Sequence, residues 1–556
     1  MRCNTEELHD PSVNAQEELL ECPEGHAPEG FNNGERKQAA PIFKSYLQKQ
    51  QQLLPPSLNE LIPENHPARI IDDLIEKMDL NELYQTYKGG GASSYDPSML
   101  LKVLILAYTQ KIYSSRRIAR AIRENVAYMW LAGGNSPDFR TLAGFRSGRL
   151  KAVIDSVFGA TIGVLVEGGY IRLKNYFLDG TKIEADANKY SFVWKKSTET
   201  YKARLEVQIR ETLAEIDRIN TEEDTMLGDG DLPEFTGTGP IPSDRLREVV
   251  AKLNKAVSED LGRGEELTAA LEKLEREQLP RLEKYERQLE IAGDRGSFSK
   301  TDHDATFMGM KEDPMRNHQL KPAYNVQMGT EGQFIVGFSV HQNATDAGLL
   351  IPHLEQIEKT LGRLPEAVIA DAGYGSEENY EWLEGHDVTA FVKYNTFHKE
   401  KSRAYQKDPF RKENFEYDEG RDIYTCFCGD ELHFDRTEQT LTRNGYRQTV
   451  RIYRASHCPY CPFRRYCVKG ESCRSIQVNV RLSRYRKQVR ERLNSPEGIQ
   501  LRKLRSVEVE SGWGQIKHDR SFRRFLTRGL AKVKAEWGLL ALAHNVIKVW
   551  YINCEV

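Results

Sequence analysis

The stretch "EAVIADAGYGSEENYEW", residues 366–382, decides how this chain is read. Ala367, Val368, Ile369 and Ala370 form a short apolar run of the kind a buried strand uses, and the run ends at Asp371. Ala372, Gly373, Tyr374 and Gly375 follow, then an acidic stretch that reads as helix. An isolated charge in a core is costly. At the carboxyl end of a strand, however, it stands where α/β proteins place their sites. Asp371 is therefore either a helix cap or a metal ligand, and the rest of the chain has to decide.

Working outward, "AYNVQMGTEGQFIVGFSVHQN" (323–343) gives two β-rich runs flanking Gly329 and Gly332, which predicts a hairpin. A helix, "DAGLLIPHLEQIEKTLG", leads to the strand ending at Asp371; a short helix then leads to the strand "VTAFVKY" (388–394). Far upstream, "NYFLDGTKIEA" (175–185) reads as a strand with Asp179 inside it or at its end. Between these lies a charged segment whose Leu205, Ile209, Leu213 and Ile216 keep helical spacing. Leu246, Val249, Val250 and Leu253 resume that spacing after a loop at about 222–243, and Leu267, Leu271, Leu274 and Leu282 continue it. This predicts an antiparallel helical arm inserted into the fold, with Pro280 as a kink or break.

The order is strand, arm, strand, strand, helix, strand, helix, strand. That is the arrangement of a ribonuclease-H-like core, an α/β fold in which the first and fourth strands lie side by side. Asp179 and Asp371, far apart in sequence, are then expected to meet. Residues 41–168 read as helices, among them "SSRRIARAIRENVAYMWL" (114–131). Its Ile118, Ala121 and Ile122 can pack inward, while Arg116, Arg120 and Arg123 share another face that can meet phosphates.

Charge is segregated although the net is only -3. Residues 1–36 hold nine acidic and two basic side chains; residues 481–534 hold sixteen Lys and Arg against five Asp and Glu. The first pattern predicts a disordered acidic tail, and the second predicts a region that meets a polyanion. No apolar run reaches the roughly 18 residues of a membrane span, and the N-terminus lacks a basic start and an apolar stretch. A cytoplasmic protein is expected. The predicted division is an acidic tail at 1–40, a helical N-terminal DNA-binding domain at 41–168, and a catalytic core built from 169–194, 300–394 and 481–556. Into that core are inserted a helical hairpin arm at 195–299 and a Cys-rich zinc knob at 395–480.

A third carboxylate is expected from a helix after the last strand. In "RSVEVESGWGQIKH", Glu510 and Lys517 are seven apart, two turns of an α-helix, and so are expected on one face. Three carboxylates can hold two Mg²⁺ (or Mn²⁺) ions about 4 Å apart for an in-line displacement at phosphorus. Lys517, Arg520, Arg523, Arg524 and Arg528 would lie along a DNA backbone. Each residue also has a plain reading: Asp179-Gly180 as a turn pair, Asp371 as a cap, Glu508 and Glu510 as surface charges. Six of the nine cysteines fall between 426 and 473. Cys458 and Cys461 form a zinc half-site, with Cys467 as third ligand, Cys426 as fourth and Cys428 as its alternative.

These residues resemble the DDE transposases of bacterial insertion sequences, in the superfamily marked by a Tyr-Arg-Glu-Lys signature, and within it the eleven-eighty-two group. The resemblance runs through "PENHPARIIDDLIEKMDLNELYQTY", "FLDGTKIEADANKYSFVWKK", "VIADAGYGSEEN" and "VEVESGWGQIKHDRSFRRFLTRGLAKVKAEWGLLALAHN", in that order. It implies catalytic carboxylates at Asp179, Asp371 and Glu510, Lys517 on DNA, cleavage of double-stranded element ends and their joining to target DNA. It also implies a homodimer or larger assembly on DNA and a nucleoid-associated protein. The Glu-to-Lys spacing of the signature holds here. Its Arg position is Ser506, with Arg505 beside it, and its Tyr position is Lys503, so the upstream half departs from the pattern. Glu508 is the fallback third carboxylate. A nuclease of the same fold, or a DNA-binding protein without catalysis, is the alternative.

Overall fold

The computed structural model describes residues 56–88, 93–224, 239–259, 265–310, 318–442, 444–468, 470 and 472–554. The predicted acidic tail at 1–40, and residues 41–55 of the predicted helical domain, lie outside them.

Helices begin where the sequence supplies caps. Asp96 accepts the Ser98 and Met99 N–H groups at the start of Pro97–Thr109, with Pro97 in the first turn. That helix is buried all round from Met99 to Tyr108, as befits a helix inside a core. It packs against Pro67–Glu76 and against the long C-terminal helix Leu530–Cys554, which also covers Leu150–Glu167 and the sheet. The N-terminal helices and the sheet therefore share one continuous apolar core.

The strands are β1 (Asn175–Glu184), β2 (Phe192–Trp194), β3 (Ser297–Ser299), β4 (Thr306–Gly309), β5 (Leu320–Glu331), β6 (Phe334–His341), β7 (Ala367–Ala370) and β8 (Thr389–Val392). In the main sheet the order is β4-β5-β1-β7-β8, with β6 also paired to β5. β7 runs parallel to β1 and β8 parallel to β7, while β5 runs antiparallel to β1. Leu178 of β1 is in register with Ala370 of β7, so Asp179 and Asp371 follow on neighbouring strands.

The hairpin forms as read, but its glycines divide the work differently. Gly332 and Gln333, both at positive φ, make the two-residue turn. Gly329 pairs with Gly337 inside the ladder, and both lie under the Tyr176 ring. A Cβ would stand 1.8 Å from the Tyr176 ring at Gly329, and 2.4 Å from its hydroxyl at Gly337.

The arm leaves and re-enters through the short β2–β3 ladder. It is more than a hairpin: Lys195–Asp224, Ser243–Glu259, Glu265–Glu272 and Leu279–Ala292 enclose a separate apolar core of Leu205, Ile209, Leu246, Leu271 and Leu282. Pro280 neither kinks nor ends a helix in isolation. It opens Leu279–Ala292 directly after a π-helical turn, Lys273–Gln278. The Cys-rich segment holds a five-stranded antiparallel sheet that the sequence reading did not anticipate. Its strands are β9 (Glu416–Asp418), β10 (Ile423–Thr425), β11 (Glu431–Leu441), β12 (Arg447–Ala455) and β13 (Ser475–Val478). No described helix is long and apolar enough to cross a membrane.

Candidate active site

Asp179 sits inside β1, paired with Met328 of β5. The Asp-Gly pair is not a turn. Gly180 is small because a Cβ there would meet Gln327 Nε2 at 2.4 Å and Asp346 Oδ1 at 2.8 Å on the opposite face of the strand. Gln327 in turn accepts the Tyr374 hydroxyl and donates to Asp346 at 3.1 Å. This network anchors the 3₁₀ turn Ala372–Tyr374 that follows Asp371. Gly375 completes the fit, since a Cβ there would lie 2.3 Å from the Lys393 carbonyl oxygen.

Asp371 is a cap that leaves its second oxygen toward Arg505. Its Oδ1 accepts the Gly373 N–H at 3.0 Å. Its Oδ2 faces Arg505 Nη2 at 3.7 Å, and the same nitrogen lies 3.2 Å from Asp179 Oδ1. One guanidinium therefore spans the two aspartates. Asp371 is half exposed (52%), Asp179 less so (21%), and Arg505 is buried (10%). Lys393, just past β8, continues the row of strand ends, and its N–H donates to Ala370. Burial first, then the nearby Arg505, lowers the Lys393 pKa, while Asp371 and Glu510 oppose the shift. The sequence reading passed over Lys393 as part of a strand. Its position directly after an apolar β-run, like that of Asp371, was the available signal.

Glu510 is exposed and ends the π-helical turn Ser506–Glu510, and its charge, like those of Asp371 and Arg505, acts on Lys393. Glu508 is turned elsewhere: buried, it accepts the Gln333 N–H of the hairpin turn at 2.6 Å. Residues two apart on a helix do not share a face, so Glu508 serves the hairpin and leaves Glu510 on the open side. Between Glu510 and Lys517, expected on one face two α-turns apart, the helix is not regular α. Gln515–Asp519 is a second π-turn, in which hydrogen bonds run from i to i+5. Lys517 is buried (6%) and donates to Thr181 Oγ1 at 2.6 Å, two residues beyond Asp179 on the same face of β1.

The basic run is divided. Arg520 is 5% exposed, with Nη1 3.4 Å from the Tyr108 carbonyl, so it ties the N-terminal helices to the C-terminal segment. Arg523 is exposed and contacts the Lys517 carbonyl and His518. Arg524 and Arg528 both pair with Asp186, just past β1, each at 3.0 Å. Arg523 and Phe525 bond the end of β1 at Glu184, which fixes this strip beside the strand. On the helix Ser115–Glu124, Arg116, Arg120 and Arg123 line an open groove of about 470 Å³ with Phe139 at its wall, and Arg120 pairs with Glu124.

In the knob, Cys426, Cys428, Cys458, Cys461 and Cys467 line one small cavity of about 30 Å³. Cys461 and Cys428 sulfurs are 3.3 Å apart. Burial, followed by Cys461, Cys426 and Cys467, pushes the Cys428 thiol up to about 12. Cys458 instead accepts the Arg474 N–H at 3.1 Å, close to Cys473. Among the described residues, no three His, Cys, Asp or Glu side chains are already gathered into a metal-binding arrangement. For a divalent cation at the sheet, the fit rests on Asp179 and Asp371, which already share a cationic group between them.

Two families match the chain by sequence. A transposase DDE domain matches residues 425–550, a span that includes Glu510 but neither aspartate. A transposase domain (DUF772) matches residues 56–148, the N-terminal helices. A search among curated proteins returns no match. The two separate stretches of the chain are thus each similar to a transposase domain.

Proposed function

We propose that the protein is a DNA transposase that binds element ends, cleaves them and joins the 3′-hydroxyl to target DNA. The observation that carries this reading is that Asp179 and Asp371 leave neighbouring parallel strands and share one cation. The strand order β6-β5-β1-β7-β8, with β7 and β8 parallel to β1, supports a ribonuclease-H-like core. The quoted sequence blocks support the eleven-eighty-two group. Asp179, Asp371 and Glu510 would hold two Mg²⁺ or Mn²⁺ ions, which supply an activated oxygen nucleophile and stabilise the leaving oxygen.

The chain's own residues have separable tasks in this reading. Asp371 is held by its turn with one oxygen committed to Gly373, so its other oxygen faces the site. Lys517 holds β1 through Thr181, on the face that carries Asp179, and would act on Asp179 by position. Arg523, Arg524 and Arg528 would track the phosphates leading away from the site, and Arg116 and Arg120 those at the N-terminal domain. Cys426, Cys458, Cys461 and Cys467, with Cys428 as the alternative, would hold a structural zinc, a reading supported by the one cavity they line. Because two ends must be joined, the working form would be at least a homodimer on DNA in the bacterial cytoplasm.

A strand-transfer assay with labelled end DNA tests the reading. Asp179→Asn, Asp371→Asn and Glu510→Gln should each abolish cleavage and joining while end binding persists. Cleavage without joining by the unaltered protein would make it a nuclease, and unimpaired cleavage by Asp371→Asn would overturn the site.

A further inference from the structure

The signature spacing puts Arg four residues before Glu, one turn of an α-helix. Here Ser506 stands at that position and Arg505 lies one residue further upstream. Ser506–Glu510 is a π-turn, in which each N–H reaches back five residues rather than four. Arg505 stands five positions before Glu510, so one π-turn accommodates the extra residue between them. Lys393 has both as electrostatic neighbours.

The side chain so delivered enters the gap between the two aspartates. Its Nη2 lies 3.2 Å from Asp179 and 3.7 Å from Asp371. A locked guanidinium–carboxylate fork has two parallel contacts of about 2.7–2.9 Å. Arg505 has neither the two short contacts nor a partner for its buried Nε. Its hydrogen bonding is incompletely met, although its charge is well matched. That combination suits a cation that balances the carboxylates without being fixed to them. An arginine cannot shed its proton to leave, so only another cation can replace it electrostatically.

We propose that Arg505 is the resident counter-ion of the Asp179–Asp371 pair and that a divalent cation enters by displacing it. This rests on the reading that the two aspartates take such a cation. Arg505 is then a positioning residue: it holds two close carboxylates in place before loading, and it sets the affinity with which they load.

The experiment measures Mn²⁺ binding by the electron paramagnetic resonance of free Mn²⁺, on the full chain without DNA. Arg505→Gln should bind Mn²⁺ about tenfold or more tightly than the unaltered protein, because a competing charge beside the carboxylates is gone. Its melting temperature without divalent cation should fall, and Mn²⁺ should raise it more than in the unaltered protein. Arg505→Lys, which keeps the charge and serves if the Gln variant fails to fold, should bind Mn²⁺ no more than about threefold more tightly than the unaltered protein, since one ammonium still competes. In the unaltered protein, phenylglyoxal modification of Arg505, read by mass spectrometry of the peptide, should rise with Mg²⁺ while that of buried Arg520 does not. Mn²⁺ binding that survives in the Asp179→Asn, Asp371→Asn double variant would overturn the underlying reading of the site. Binding that depends on both aspartates but is unchanged in Arg505→Gln, with Arg505 modification indifferent to Mg²⁺, would overturn this inference alone.

Discussion

At Glu508 the carboxylate accepts the Gln333 N–H and stands under the hairpin turn, and burial raises its pKa. Two positions on, Glu510 is exposed. The two acids should therefore respond to mutation in opposite ways. Glu508→Ala leaves the Gln333 N–H without its acceptor and should cost about 1–3 kcal/mol of stability. Glu510→Gln should leave the melting temperature nearly unchanged while cleavage is lost. Thermal melts beside cleavage assays check both; a stable, inactive Glu508→Gln would reverse the assignment. The pH dependence follows from the direction of the shift. A carboxyl whose folded pKa is raised binds more protons folded than unfolded, so its favourable contribution is full at low pH. That contribution is lost as pH rises from the ordinary value through the raised one. Glu508→Gln should therefore flatten the fall in stability from mildly acid to neutral pH. Glu536, more deeply buried and shifted the same way, is common to both proteins, so their difference isolates Glu508.

At the scale of elements, β5 and β6 carry a device that no propensity reveals. Gly329 and Gly337 are paired across the ladder and leave room for Tyr176, whose hydroxyl reaches His353 Nε2 at 2.7 Å. Gly337→Ala puts a methyl 2.1 Å from Ile357 and 2.4 Å from the Tyr176 hydroxyl, contacts that force a shift in the core. It should cost about 1–3 kcal/mol, measured by denaturant unfolding, with Gly332→Asn at the turn costing less. A neutral Gly337→Ala would mean that Tyr176 moves freely. The hairpin itself was legible, since β-branched and aromatic runs flank a two-residue turn. β11 was not, because almost all of its side chains are exposed and no alternation marks it. The π-turns at Ser506–Glu510 and Gln515–Asp519 were illegible for another reason: nothing in composition separates a π-turn from an α-turn. Readings that assume α spacing could therefore note Arg505 beside the signature position without placing it at the aspartates. Asp179 and Asp371 were legible because strand order alone makes them neighbours.

For the whole molecule, charge segregation is the property that sequence gives most directly and that folding most alters. Of the arginines read as one basic run, Arg520 is consumed inside the core, while Arg523, Arg524 and Arg528 stay at the surface beyond β1. Arg524 and Arg528 share Asp186, so part of their charge is already balanced. If this strip follows a DNA backbone, its contacts are to phosphates and carry no sequence preference. Replacing Arg523 and Arg524 with Ala should then weaken binding to end DNA and to unrelated DNA alike. The slope of log K against log salt should become shallower by roughly 1–2, since each phosphate contact contributes about 0.9. Asp186→Asn should act in the opposite direction, freeing both partners and tightening binding at low salt. Arg520→Ala should lower stability and leave the slope unchanged, because its guanidinium lies beneath the surface at the Tyr108 carbonyl. Binding isotherms at several salt concentrations separate these outcomes. An unchanged slope in the double arginine variant would remove this strip from the DNA path and leave the Arg116–Arg120 groove as the surface to test next.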